Sequence, residues 1–181
     1  MASNSYFLAP LALLFILSAI LAKGDDTLIT KTCKNVTYSD LCISTLKSDP
    51  SSAKADVKGL ASIMVRFGHA KASSIRSYLK ALVYNKATKG ALKETLQFCL
   101  TRFSYSVREL RVALHKLSKD QFEFAQYDVT SGDDAPDDCK EEFSNTPSLS
   151  YPPELSRRGD DFEKICFIAQ EIIDPLIPNN S

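Results

Sequence analysis

An all-α domain, an up-and-down four-helix bundle, is the fold class this sequence predicts, and three observations carry it. Apolar residues recur in steps of three and four over long stretches, the period of one helix face. Alternating runs of Val, Thr and Ile are few. Six glycines and no tryptophan in 181 residues argue further against a β-sheet domain.

The chain opens on an uncharged apolar run, Phe7 to Ala22, broken only by Pro10 and Ser18. It is shorter than the ~20 apolar residues of a spanning helix. Ala22-Lys23-Gly24 places small residues where signal peptidase reads, although no Lys or Arg precedes the run. Residues 1–24 are therefore expected to be a cleaved secretory signal, with an uncleaved anchor as the alternative. Residues 25–181 then form one domain, large enough to bury a true core. Nothing after residue 25 is long or apolar enough to cross a membrane.

Thr27 to Asp40 reads as a short helical arm held by its cysteines. From about Asp56 to Tyr84, Leu60, Ile63, Met64, Phe67, Ser74, Tyr78 and Leu82 share one face. Lys54, Lys58, Arg66, Arg76 and Lys80 fall in a wedge on the other. Lys71 points towards the apolar side and can snorkel outward; Gly68 is a weak point where the helix is expected to bend. Asn85 to Gly90 is short, so the next helix returns antiparallel. Its stripe is Leu92, Leu96, Cys99, Phe103, Val107, Leu110, Leu114 and Leu117, bounded by Gly90 and Ser118. Gln121 to Thr130 reads as helical, interrupted by Ser131-Gly132 and Pro136, with a new helix from Asp137 to Phe143. Asn145 to Arg158, with Pro147, Pro152 and Pro153, reads as a loop. A last helix is expected from Gly159 or Asp160, with a stripe of Phe162, Ile165, Ala169, Ile172 and Leu176. Pro175 and Pro178 limit its end. Four stripes are buried most simply as a four-helix bundle.

Five cysteines behind a secretory leader read as two structural bridges and one spare thiol. Five cysteines making two bridges allow fifteen arrangements. Cys166, beside Ile165 near the last apolar stripe, is the natural odd one and reads as a buried, inert thiol.

The formal net charge is zero, which points to neither a nucleic-acid nor a membrane partner. It hides an asymmetry. Residues 54–93 carry nine Lys or Arg and one acid, Asp56, whereas residues 120–142 carry nine acids and one base, Lys140. The basic stretch reads either as a docking surface for an acidic partner or as the wet face of an amphipathic helix. The acids Asp133, Asp134, Asp137, Asp138, Glu141 and Glu142 lack the calcium-loop spacing of an EF-hand and read as a solvated approach to a helix N-terminus. His69 and His115 are lone residues. No nucleophile, metal or phosphate-binding motif is present, so neither catalysis nor a cofactor is expected. Asn35-Val36-Thr37 is an N-glycosylation sequon; Asn179-Asn180-Ser181 fits the pattern at the last residue.

Thr32-Cys33-x8-Cys42 with Tyr38 inside, Leu41-Cys42-x3-Leu46, Ala91-Leu92-x6-Cys99 and Asp138-Cys139-x3-Phe143 resemble the plant invertase and pectin methylesterase inhibitor family. Leu41 to Leu60 is especially similar to its pollen-allergen-like invertase-inhibitor branch. The resemblance implies a four-helix bundle with an N-terminal helical hairpin, and bridges Cys33–Cys42 and Cys99–Cys139 with Cys166 free. It implies a secreted protein of the cell wall, with the vacuole as alternative, that blocks the substrate cleft of one carbohydrate enzyme molecule without catalysis. Invertase inhibitors of the family place a Pro-Lys-Phe motif in the target's active site. Here the matching stretch is Asp120-Gln121-Phe122-Glu123-Phe124-Ala125, with Glu123 where a lysine is expected. A carboxylate facing an acidic glycosidase site is repelled, which favours pectin methylesterase over acid invertase as target. The candidate docking residues are Lys58, Arg76, Lys80, Phe122, Glu123 and Phe124. A non-inhibitory secreted binding bundle that has lost its target is the further alternative.

Overall fold

The structure, a computed structural model, describes residues 28–178. The expected signal peptide and the Asn179 sequon lie outside the described residues. Two helices form the N-terminal arm: α1, at residues 28–33, and α2, Ser39–Ser48. A 3₁₀ turn at Pro50–Lys54 leads into α3, Val57–Val83. Then come α4, Gly90–Ser118, α5, Phe122–Asp133, α6, Ala135–Ser144, and α7, Pro153–Ile173. No strand occurs among the described residues.

Four helical columns make the bundle. α3 packs between α4 and α7, α5 packs on α4 and α7, and α6 continues the α5 column. α3 begins where the side chain of Asp56 accepts from the Gly59 N–H at 2.7 Å, an N-cap that satisfies one orphan donor. It runs unbroken through Gly68, where the nearest neighbour of an added Cβ would be the Cys166 sulfur at 3.4 Å. The first two turns of α3 bury Leu60, Ile63 and Met64 as expected, and the buried series then continues through Gly68, Ala72, Ile75, Leu79 and Val83. From residue 67 onward the apolar face is therefore turned by one residue from the one expected: Ser74 is exposed, and Phe67, Tyr78 and Leu82 are half-buried flanks. Gly68 and Ala72 hide the true stripe because small residues give almost no hydropathy signal.

Two boundaries also differ from expectation. Ser131-Gly132 does not interrupt α5; an added Cβ at Gly132 would stand 3.4–3.5 Å from Leu110, Glu109 and the Ser106 carbonyl of α4, so the glycine permits close packing. The break comes at Asp134, as Pro136 at the start of α6 cannot donate to the preceding turn. α7 begins at Pro153, six residues before Gly159, because proline suits the first helical position, where no partner for its N–H is needed.

The core is continuous from arm to bundle. Phe103 of α4 meets Phe162 of α7 edge-on at 6.0 Å. Ile29, Cys33, Val36, Cys42 and Leu46 of the arm are buried with it. Glu171 of α7 fixes the arm by accepting from the Thr37 N–H and hydroxyl, at 2.9 and 2.8 Å. Cys33 is bonded to Cys42 within the arm, and Cys99 of α4 to Cys139 of α6. Cys166 is a free, buried thiol.

Candidate functional site

The turn from α4 to α5 is the most distinctive surface feature. Asp120 follows α4 with φ of 57°, a left-handed conformation that aspartate tolerates better than most residues. This sends α5 back along α4. Lys58, in the first turn of α3, donates from Nζ to Asp120 Oδ1 at 2.8 Å and ties the turn to a third column. The carboxylate holds the Lys58 ammonium above its ordinary range.

Beyond the turn α5 is two-faced. Ala125 and Val129 are buried and Phe122 is half-buried against the core. Glu123 is exposed, and so are Phe124 and Tyr127, at 59% and 70%. The Lys116 Nζ of α4 lies 5.2 Å from the centre of the Phe124 ring, within reach of a cation–π contact. Two large rings left open beside a cation, on an otherwise polar surface, have the composition of a protein-binding patch. Lys116 and Tyr127 were not singled out in the sequence. Tyr127 was legible as the residue one turn past Phe124 and off the Ala125–Val129 face; Lys116 was not, because its place over the ring is set by the α4–α5 pairing.

The six candidate docking residues do not form one patch. Lys58, Glu123 and Phe124 gather at the turn, with Phe122 beneath them. Arg76 and Lys80 stand 18 and 22 residues along α3 from Lys58, about 27 and 33 Å at 1.5 Å per residue. The rest of the basic wedge is also broken up: Lys54 precedes α3, and Arg66 pairs with Asp49 at 3.1 Å.

The acids expected in a solvated approach lie largely within helices. Asp133, Asp134 and Asp137 line a depression with Asp160 and Glu163 of α7, edged by Tyr38 and Phe167. Burial, then Glu163 and Asp134, push the Asp133 carboxyl up to about 8, opposed by the neighbouring Cys166 thiol and by a hydrogen bond from Gln170 at 3.3 Å. Burial also pushes the Cys166 thiol up. Among the described residues no group of three His, Cys, Asp or Glu could hold a metal ion. His69 is half-buried and His115 exposed. Asn35 is exposed on the arm, while its sequon partner Thr37 is held by Glu171.

The helical bundle that carries this two-disulfide frame is shared with known proteins. The profile of the plant invertase/pectin methylesterase inhibitor family matches residues 27–172. The chain belongs to this family. It is a family of inhibitors, and this member is not an enzyme. The cell wall / vacuolar inhibitor of fructosidase 2 of Arabidopsis thaliana is 34% identical over 98% of this chain and 99% of its own. Pectinesterase inhibitor 28 of Oryza sativa subsp. japonica is 31% identical over 81% of this chain and 67% of its own. The crystal structure of a mutant form of an Arabidopsis pectin methylesterase inhibitor superposes with a TM-score of 0.68 at 18% identity, over 81% of this chain and 95% of its own, which shows the fold. No helix among the described residues is long and apolar enough to cross a membrane.

Proposed function

We propose that this family member is a secreted protein inhibitor that seats its α4–α5 turn in the substrate cleft of an acid invertase, one to one. The Lys116–Phe124 pair on the exposed turn carries the reading. A glycosidase cleft is built around paired carboxylates and shaped for a sugar ring. An ammonium resting on a phenyl ring offers charge and shape complementary to both. The carboxylate at position 123 is therefore not the whole electrostatic content of the turn, since a cation reaches the same ring from the neighbouring helix. The 34% identity with a fructosidase inhibitor over nearly all of both chains supports the same target.

Pectin methylesterase is the second reading, favoured by Glu123 at the position where a lysine is expected and by the 31% identity with a pectinesterase inhibitor. Under either reading residues 1–24 direct the chain to the cell wall or vacuole and Asn35 is a glycan acceptor.

Purified residues 25–181 assayed side by side against a plant acid invertase and a plant pectin methylesterase at pH 5 test this. Invertase is expected to be inhibited, and Phe124→Ala with Lys116→Glu to weaken inhibition by at least about tenfold, the loss typical of one interface hot spot. Inhibition of the esterase alone would transfer the function to the second reading. Inhibition of neither would leave a binding bundle without this target class.

A further inference from the structure

Far from the turn, α3 and α4 enclose a second surface with a different chemistry. α3 contains no Asp or Glu in its 27 residues. Its second half forms with α4 a groove of about 440 Å³, walled by Arg76, Lys80 and Tyr84 on one side and Gln97, Thr101 and Ser104 on the other. Among the described residues no carboxylate lines it, and neither Arg76 nor Lys80 has an ion-pair partner. The positive potential continues along the two helices: His69 is held below its ordinary range by burial and then by Arg111 and Arg76. Tyr84 closes the groove with a ring that is 69% exposed.

The hydroxyls narrow the ligand further. Ser77 donates to the Ser73 carbonyl at 2.9 Å, Thr101 to Gln97 at 3.0 Å and Ser104 to Leu100 at 2.6 Å. Their protons are committed to their own helices, so they offer the groove lone pairs only. The site thus presents two cations and the Gln97 NH2 as donors, three hydroxyl oxygens and the Gln97 side-chain carbonyl as acceptors, and the exposed Tyr84 ring with its hydroxyl. A ligand that matches must bring negative charge, several O–H donors and a flat apolar face together.

We infer that this groove binds a stretch of acidic polysaccharide, a chain of carboxylate-bearing sugars. Arg76 takes a sugar carboxylate with its planar fork, and Lys80, one turn on, takes the next as a point charge. Sugar hydroxyls donate to Ser77, Thr101 and Ser104, and the Tyr84 ring packs on a sugar face. A DNA backbone fits worse: Arg76 and Lys80 would take its phosphates as readily as carboxylates, but it brings no hydroxyl to donate to Ser77, Thr101 and Ser104. An acidic peptide brings carboxylates without the hydroxyl donors. The site goes beyond the inhibitory reading and does not rest on it, being separated from Phe124 by most of the length of α3.

Retention of residues 25–181 on immobilised polygalacturonate at low ionic strength tests the inference, against fully methyl-esterified pectin, a single-stranded polynucleotide and polyglutamate. Strong retention on polygalacturonate alone is expected. Arg76→Glu with Lys80→Glu should weaken it by about tenfold or more, and Tyr84→Ala by several-fold, with the circular dichroism spectrum unchanged because all three sites are at the surface. Failure to bind polygalacturonate would overturn the inference. So would equal retention on any of the other three polymers, or retention unaffected by the substitutions.

Discussion

Gly159 sits near the middle of a helix, where glycine ordinarily costs about 0.5–1 kcal/mol relative to alanine. An alanine methyl there would stand 3.1 Å from Pro136 Cβ, inside the contact range of carbon atoms. Pro136 is buried and rigid, so it cannot give way cheaply. Overpacking of this kind costs about 1–3 kcal/mol, which exceeds the gain in helix propensity. Gly159→Ala is therefore expected to lower the melting temperature by several degrees in a thermal scan, although the same substitution stabilises most exposed helices. An unchanged or raised value would show that α6 can move away from α7. The sequence hid this role by offering a more familiar one, a glycine at a helix start.

At the scale of elements, much of the bundle was legible beforehand, for a physical reason. α4 has a strong apolar stripe between a glycine and a serine, and its residues 90–118 match those bounds. α3 likewise runs between Asp56 and Tyr84. What was not legible depended on partners. The rotation of the α3 face follows from Gly68 and Ala72, whose burial is decided by the approach of α7. The start of α7 is ambiguous in sequence because Pro152 and Pro153 serve as well at a helix entry as in a loop. The docking surface was legible in part, since Phe124 stands out by its neighbours but Lys116 joins it only through pairing of two helices. Disulfides act at this scale too. In the loop-entropy account the bond across forty positions, Cys99 to Cys139, contributes about 4 kcal/mol, and the one across nine, Cys33 to Cys42, about 3. Replacing each pair by alanine should lower the stability in a denaturant titration more for the first. The reverse order would mean that the arm is held chiefly by its own bond and little by Glu171 and the core.

For the whole molecule, the distribution of charge makes stability depend on acidity. Asp133, raised to about 8, and Glu163 and Asp134, raised chiefly by burial, bind protons more readily in the folded chain than in the unfolded one. Their contribution is complete below the unfolded carboxylate range near 4 and is lost as pH rises towards 8. Asp49 and Glu154, held low mainly by hydrogen bonds from Ser51 and Arg157, act in the opposite sense only at the acid end. The melting temperature is thus expected to be highest near pH 4–5 and to fall by pH 8. Asp133→Asn should flatten that slope, raising the value at pH 8 while changing it little at pH 5. A profile that rises towards pH 8 in the native protein would contradict this account of the α5–α7 depression.

The burial of Cys166 has a chemical consequence beyond packing. A thiol attacks a disulfide only as a thiolate, and both its enclosure among α3, α5 and α7 and its neighbour Asp133 disfavour that form. While the bundle is closed, the odd sulfur cannot exchange with either bridge. Once the chain opens, it becomes an ordinary cysteine free to scramble them. The fold therefore guards its own covalent wiring: recovery from a brief excursion is faithful in acid, where thiolate is scarce, and becomes progressively error-prone as the medium turns alkaline.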